Sequence, residues 1–112
     1  MQALRDRLRQ FVAERDWDKF HSPKNLASAL SVEAAELLEH FQWLTEAESR
    51  NLPPAKLAQV QDEMADVLVY LVRLADKLDV DLLDAAAKKI EKNALKYPAG
   101  KVRGSMKKYS DY

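Results

Sequence analysis

The scarcity of glycine is the feature that most limits what this chain can fold into. Its two glycines, Gly100 and Gly104, lie near the carboxyl end, whereas alanine, leucine, glutamate and lysine are abundant throughout. Apolar residues recur at helical spacing, and the alternating apolar and polar runs that are typical of half-buried strands are missing. The sequence therefore predicts an all-α fold.

Four helices are predicted, and polar or proline-containing segments separate them. Their approximate ranges are 3–15, 23–44, 55–78 and 82–97. Ser22 followed by Pro23 predicts an N-cap and a first-turn proline for the second helix. Asp81 is the expected cap of the fourth helix, which Pro98 should end. The polar stretch TEAESRNLPP is expected to connect the second and third helices.

This pattern predicts a four-helix bundle in which two antiparallel helices carry the functional residues. Residues 1–98 are expected to form one domain. Residues 99–112 are expected to form a basic tail that is mobile or acts as a strap on binding.

The composition argues against several classes of function. Eighteen basic and eighteen acidic residues balance, so no overall charge would attract nucleic acid or an anionic membrane. The lack of cysteine excludes disulfides and thiolate metal sites, and it suits a reducing compartment. The first residues are charged throughout, and the longest apolar run, VLVYLV, is too short to span a bilayer. We expect a cytoplasmic protein that binds neither nucleic acid nor membrane.

Two helices place carboxylates where apolar residues are expected. At 100° per residue, Glu33 falls among the leucines of the second helix, and Glu36 lies at the edge of that arc. The third helix repeats the pattern with Glu63 among its apolar residues and Asp66 at the edge. Buried acids repel one another and take up protons unless cations or a metal compensate them. The sequence therefore predicts that the four acids bind a divalent cation.

The ligand types indicate which metal to expect. Carboxylate oxygens without cysteine or clustered histidine favour Mg²⁺, with Mn²⁺ as a possible substitute, over zinc. A di-iron bundle requires Glu-x-x-His on its helices, and His40 does not stand at that spacing from Glu36. A single E-x-x-E pair usually marks a solvated helix face. Two such pairs on apolar faces instead favour a metal site.

The fourth helix carries a polar line of the opposite charge. Lys89, Asn93 and Lys96 stand at i, i+4 and i+7. Considered alone, this line is typical of a solvated lysine face. Beside a metal site it would bind phosphates, because a divalent cation and lysines together neutralise a polyphosphate. No glycine-rich phosphate loop is present, which excludes a P-loop mechanism.

Aromatic residues supply a candidate base site. Trp17 and Trp43 could cap the core or could hold a nucleotide base between their rings. His21 lies near Trp17 in the sequence and is either a polar loop residue or a substrate contact. Tyr70 follows Asp66 by one turn on the acid-bearing face.

The acid pairs also carry a resemblance to a known family. The motifs EAAE (Glu33 to Glu36) and EMAD (Glu63 to Asp66), with DVLVYL and KKIEKNALKYP, resemble the MazG-like all-α nucleoside triphosphate pyrophosphohydrolases. RDWDKFHSPKNLASALSVEAAELLEHFQW, DEMADVLVYLV and NALKYPAGK are similar to the dCTP pyrophosphatase branch. The resemblance covers nearly the whole chain. It implies Mg²⁺-dependent hydrolysis of dCTP, or modified dCTP, to dCMP and diphosphate, as nucleotide-pool house-cleaning.

The resemblance also implies roles for individual residues. The four acids would bind Mg²⁺, Trp17 and Trp43 would flank the base, and Tyr70 would pack near the sugar. The implied sugar or phosphate contacts are Lys89, Asn93, Lys96 and Tyr97. The family's animal enzymes have a histidine nine residues before the first of these tryptophans, where this chain has Leu8, so base preference is less constrained than reaction type. The family implies a homotetramer built as a dimer of dimers.

The acids would also be the catalytic residues, since no side-chain nucleophile is needed. A water made acidic by the cation would attack the α-phosphorus, and Glu36 is the preferred proton acceptor among Glu33, Glu36, Glu63 and Asp66. Three alternatives remain at this point. They are a pyrophosphohydrolase of dUTP-type or other base preference, a nucleotide-binding sensor, and a non-catalytic helical assembly module.

Overall fold

Helices account for all the regular secondary structure in the part of the chain that the structure describes. This computed structural model describes residues 1–104, without the side chains of residues 101 and 102. The six α-helices of this range are α1 (Gln2–Glu14), α2 (Pro23–Glu39), α3 (Glu46–Arg50), α4 (Pro54–Lys77), α5 (Leu82–Lys96) and α6 (Ala99–Val102). One turn of 3-10 helix, Asp18–Phe20, lies between α1 and α2. The all-α prediction is confirmed.

The chain divides into two compact units. The first unit covers residues 1–80 and contains α1 to α4, and the second begins at Asp81 and contains α5 and α6. The predicted division into residues 1–98 and a basic tail, 99–112, stays a prediction. In that tail the structure describes the short α6, and residues 105–112 lie outside the described residues.

Side-chain caps begin α2 in the first unit and α5 in the second. The Ser22 hydroxyl accepts a hydrogen bond from the Asn25 N–H, and Pro23 occupies the first turn of α2. Asp81 accepts from the Asp84 N–H at the start of α5. Each cap satisfies one amide that would otherwise lack a partner at the helix start. Both predicted caps are confirmed.

The prediction for the end of the second helix was wrong. The helix ends at Glu39, and residues 40–43 form turns, so Trp43 and Leu44 are not helical. The N–H groups of His40 and Phe41 bond to carbonyls three residues back, which tightens the last turn and ends α2.

The predicted polar connection between the second and third helices contains the short helix α3. The Thr45 side chain accepts from the Glu48 N–H, and the Glu48 carboxylate accepts from the Thr45 N–H. This reciprocal capping box stabilises a helix start that the polar composition concealed.

Aspartate ends two helices in a conformation that usually favours glycine. Asp16 and Asp79 have φ of 53° and 55°, immediately after the residues that cap α1 and α4. The next amides, of Trp17 and Val80, bond back to carbonyls five residues earlier, at 3.0 and 2.8 Å. These are Schellman motifs, in which a left-handed residue turns the chain away from the helix. The motif after α1 fixes the backbone at Trp17.

Helices α2 and α4 form the antiparallel core of the first unit. Glu33 near the end of α2 lies beside Glu63 in the first half of α4, and His21 before α2 bonds to Arg73 near the end of α4. Leu26 on α2 and Val60 and Val72 on α4 are buried between neighbouring helices. The predicted antiparallel pair is therefore present.

The core is small for the number of apolar residues. Many large apolar side chains remain exposed, and those on α4 are Leu57, Met64, Leu68 and Leu71. Contiguous apolar surface of this kind usually marks an interaction site. Among the described residues, no helix combines the length and the hydropathy needed to cross a membrane.

Candidate functional site

Three carboxylates meet between α2 and α4. Glu33 and Glu36 lie one turn apart on α2, and Glu63 approaches them from α4. One oxygen of each side chain lies within 4.8 Å of an oxygen of each of the others. The structure therefore brings together three of the four acids, and their role as metal ligands stays a prediction.

The cluster is partly buried, and two of its carboxylate oxygens are unpaired among the described residues. Glu33 Oε2 and Glu63 Oε2 are both inaccessible to solvent and have no hydrogen-bond partner among the described residues. Burial raises the pKa of Glu33 to about 7, and the neighbouring carboxyl groups of Glu36 and Glu63 add to the rise. Unpaired buried carboxylate oxygens are costly, because they lose hydration without gaining a partner.

These residues fit a hard divalent cation. Oxygen ligands grouped within a few ångströms match the preference of Mg²⁺ and Mn²⁺, and a cation would give the two buried oxygens a partner. Asp66 is exposed and lies outside the group of three. Its charge still contributes to the raised pKa of Glu33, so it lies close enough to act on the cluster electrostatically.

Trp17 and His21 flank the 3-10 turn between α1 and α2. The Trp17 ring packs edge-on against Phe11 of α1, with 5.8 Å between the ring centroids. His21 is partly buried and accepts a hydrogen bond at Nδ1 from Arg73 Nε. Both residues therefore belong to a segment that is held against α1 and α4.

The other two residues predicted in the first unit occupy different settings. Trp43 lies in the turn after α2, with 86% of its surface exposed. Tyr70 is half-buried on α4, one turn after Asp66, as its spacing predicted. The exposed indole leaves a flat apolar surface available for a ligand or a second chain.

The remaining predicted residues belong to the second unit. Lys89, Asn93 and Lys96 lie on exposed positions of α5. Tyr97 caps the end of that helix, where its N–H donates to the Asn93 carbonyl at 2.8 Å, and it is half-buried. Their roles toward phosphate and sugar stay predictions.

A charged network that the sequence did not predict lies next to the 3-10 turn. Arg73 is buried on α4, with 3% of its surface exposed, and a depression of about 400 Å³ lies beside it. The residues that line the depression are Arg9, Ala13, Asp18, Arg73, Asp76 and Lys77. A signal was available, since Arg73 interrupts the most apolar part of the sequence, VLVYLVRLA.

Comparisons with known proteins identify one matching family and several similar proteins. The MazG-like family matches residues 28–112. Over 104 residues the chain is 46% identical to dCTP pyrophosphatase 1 of Mus musculus and 45% identical to that of Homo sapiens. Each match covers 91% of this chain and 61% of the relative, so the chain spans about three fifths of the length of these relatives.

A solved structure is similar as well. The crystal structure of a pyrophosphatase from Archaeoglobus fulgidus superposes with a TM-score of 0.83 at 44% sequence identity. The match covers 88% of this chain and 92% of that chain. The likeness therefore extends to a protein of comparable length.

Proposed function

The chain belongs to the MazG-like family, and on this basis we propose that it hydrolyses nucleoside triphosphates to monophosphate and diphosphate, with dCTP as the preferred substrate. The relatives named dCTP pyrophosphatase 1 and the pyrophosphatase of similar structure support this proposal. Modified cytosine nucleotides belong to the same substrate class. The cellular role would be removal of such nucleotides from the pool.

One observation carries the proposal: three carboxylates meet between α2 and α4, and two of them hold buried, unpaired oxygens. A purely structural pair of helices gains nothing from this arrangement, since apolar residues would pack there without the electrostatic cost. We propose that Glu33, Glu36 and Glu63, assisted by Asp66, hold Mg²⁺ or Mn²⁺. A bound cation would neutralise triphosphate charge and make the attacking water more acidic.

The chain's own residues then bind and orient the substrate. The water attacks the α-phosphorus, and the bond to the bridging oxygen breaks, which releases diphosphate. Glu36 is our preferred proton acceptor, because the buried unpaired oxygens belong to Glu33 and Glu63 instead. Trp17 and Trp43 would flank the base, His21 would contact the nucleoside, and Tyr70 would pack near the sugar.

We further propose that the protein acts as a homotetramer in the cytoplasm. The exposed apolar side chains of α4 support assembly, since one chain leaves them without a covering partner. The absence of cysteine suits a reducing compartment.

An assay of pyrophosphate release tests the proposed function. Purified protein is incubated with Mg²⁺ and each of the four deoxynucleoside triphosphates, dUTP or 5-methyl-dCTP, and diphosphate is separated from orthophosphate. We expect fastest release from cytosine nucleotides and a loss of at least about 100-fold in Glu63→Gln. Glu39→Gln is the matched control, because it removes the same charge from an exposed position of α2.

Each result of this assay has a definite meaning. Faster hydrolysis of dUTP would show that dUTP is the preferred substrate in place of dCTP, and the proposed reaction would stand. If every nucleotide remains intact with metal present, the proposal that the protein is an enzyme is overturned, and a binding or assembly role is favoured.

A further inference from the structure

Arg73 makes polar contacts through all three nitrogens of its guanidinium. Nε donates to His21 Nδ1 at 3.3 Å, Nη2 donates to Asp18 Oδ1 at 3.0 Å, and Nη1 donates to Asp76 Oδ2 at 3.4 Å. The side chain is 4% exposed. A planar fork with fixed donor directions can join three partners at once, which a lysine ammonium on a flexible stem cannot reproduce in the same geometry.

Two of these contacts hold the segment that begins at Trp17 and ends at His21. Asp18 receives Arg73 and also the Lys77 ammonium, both from α4. On the other side, the Trp17 N–H bonds to the Val12 carbonyl of α1. The segment is therefore fixed between α1 and α4, and its two ends are residues proposed to contact the nucleoside.

The contact with His21 also sets the proton position on the imidazole. A guanidinium only donates, so Nδ1 must accept, and a neutral His21 carries its proton on Nε2. Burial lowers the pKa of His21, and the charges of Arg73 and Lys77 lower it further, against the opposing charge of Asp18. His21 is therefore a neutral side chain with one defined N–H donor at Nε2.

Neutralising Asp18 and Asp76 does not require Arg73. Asp76 also receives a bidentate contact from Arg9, and Asp18 also receives Lys77. Both carboxylates keep a cation without Arg73. A buried ion pair can usually be replaced by apolar side chains without loss of stability. Among the hydrogen bonds of the described residues, Arg73 bonds to His21, whereas Arg9 and Lys77 do not.

Arg73 also lies on the same face of α4 as the proposed substrate residues. Glu63, Asp66, Tyr70 and Arg73 stand at i, i+3, i+7 and i+10, a spacing that keeps all four within about 80° on the helix. Arg73 is roughly 15 Å along the axis from Glu63. One helix face thus carries the acid cluster at one end and the support of the Trp17 to His21 segment at the other.

We propose that Arg73 is a positioning residue for nucleotide binding, which fixes the place and the proton of His21 so that Nε2–H is presented as a hydrogen-bond donor to the nucleoside. This inference rests on the proposed function, since it assigns a role within the same site. The recognised group is an acceptor atom of the base or sugar. Arg73 itself contacts neither the substrate nor the metal.

A double-mutant cycle of Arg73→Met and His21→Ala, with the substrate that the wild-type protein hydrolyses, tests the role. We expect Arg73→Met to raise KM by at least about fivefold with little change in kcat. In the His21→Ala background the same substitution should change KM by less than about twofold, because the residue through which it acts is gone. Arg9→Met is the control, since it removes a guanidinium from the same network without touching His21, and its KM should stay unchanged.

Nitrogen NMR of His21 gives a readout that does not depend on activity. At about pH 8 the wild-type imidazole should be protonated at Nε2 alone, and Arg73→Met should populate both tautomers. Arg73→Lys repeats the tests with the charge retained, and it should fail to restore the wild-type KM.

The outcomes separate this role from the proposed function. An active wild-type protein whose KM is unchanged in the Arg73 variants, or whose two substitutions raise KM independently, would overturn the positioning role alone. Protonation of wild-type His21 at Nδ1 would also overturn it. A wild-type protein that hydrolyses no nucleotide overturns the proposed function, and the positioning role with it.

Discussion

Glu33 on α2 and Glu63 on α4 lie side by side, and each has a buried carboxylate oxygen, Oε2, without a hydrogen-bond partner among the described residues. Two neighbouring carboxylates of this kind repel each other. The pair therefore costs stability in the metal-free protein and becomes favourable when a cation joins it. Stability and metal binding are linked at this point of the fold.

The first prediction concerns the response of stability to metal. Glu63→Gln should leave the metal-free protein at least as stable as the wild type, because it removes a charge from a crowded site. Mg²⁺ or Mn²⁺ at a concentration of about 100 times its Kd should raise the free energy of unfolding of the wild type by about 2.7 kcal/mol. This gain should vanish in the variant. Urea unfolding with EDTA and with metal measures both effects. Glu39→Gln, the exposed control on α2, should retain the full metal response.

The second prediction concerns pH in the absence of metal. The folded-state pKa of Glu33 is raised to about 7 from 4.5, chiefly by burial. The folded state therefore binds this proton more tightly, and the stability it contributes is present at low pH and lost as pH rises through about 7. The midpoint of urea unfolding, measured in EDTA, should decrease as the pH rises from about 5 to about 8. Glu33→Gln should flatten this part of the profile, and an unchanged slope would contradict the assignment.

Much of the scaffold could be predicted because its signals are local. The observed α4, Pro54–Lys77, and α5, Leu82–Lys96, differ from the predicted ranges by one residue at most. Prolines, polar caps and helical periodicity mark these boundaries within a few residues of sequence. The end of α2 was missed because Phe41 and Leu44 continue the apolar spacing past the point where the backbone bonds tighten.

The candidate site also has one part that the sequence predicted and another part that it did not. Spacing on the helical wheel predicted that Glu33, Glu36 and Glu63 would lie together. The wheel contains no distances, so it did not predict that Asp66 lies outside this group. Arg73 was missed because its partner His21 is 52 residues away in sequence, and the wheel of one helix contains no information about such a contact.

The third prediction concerns the helix ends that use aspartate in place of glycine. Asp79 has φ of 55°, a conformation that is strained for a residue with a Cβ. Asp79→Gly should therefore stabilise the protein by about 0.5–1 kcal/mol. Asp79→Ala is the matched control, because it removes the carboxylate and keeps the Cβ, and it should give no gain. Thermal unfolding of the two variants distinguishes backbone strain from charge.

The fourth prediction concerns assembly. Met64, Leu68 and Leu71 are exposed on α4, with 56%, 41% and 36% of their surfaces accessible. Light scattering should give a mass of at least two chains of 12.8 kDa each. Leu68→Lys should shift the mass toward the single chain, since a buried lysine at an interface must lose its hydration. Lys56→Gln provides a control on the same helix, and a wild-type mass of one chain would reject assembly.

The last prediction concerns the acid limb of stability. Arg9 holds the pKa of Asp76 below its usual range through a hydrogen bond, and burial opposes this effect. The stability from a lowered carboxyl pKa is present above the unfolded value, near 3.8, and is lost as pH falls through the folded value. Asp76→Asn should destabilise the protein by about 1–3 kcal/mol at neutral pH and weaken its acid sensitivity below about pH 4. Asp62→Asn, an exposed position on α4, should change neither, and equal losses in both variants would contradict the role of the Arg9 contact.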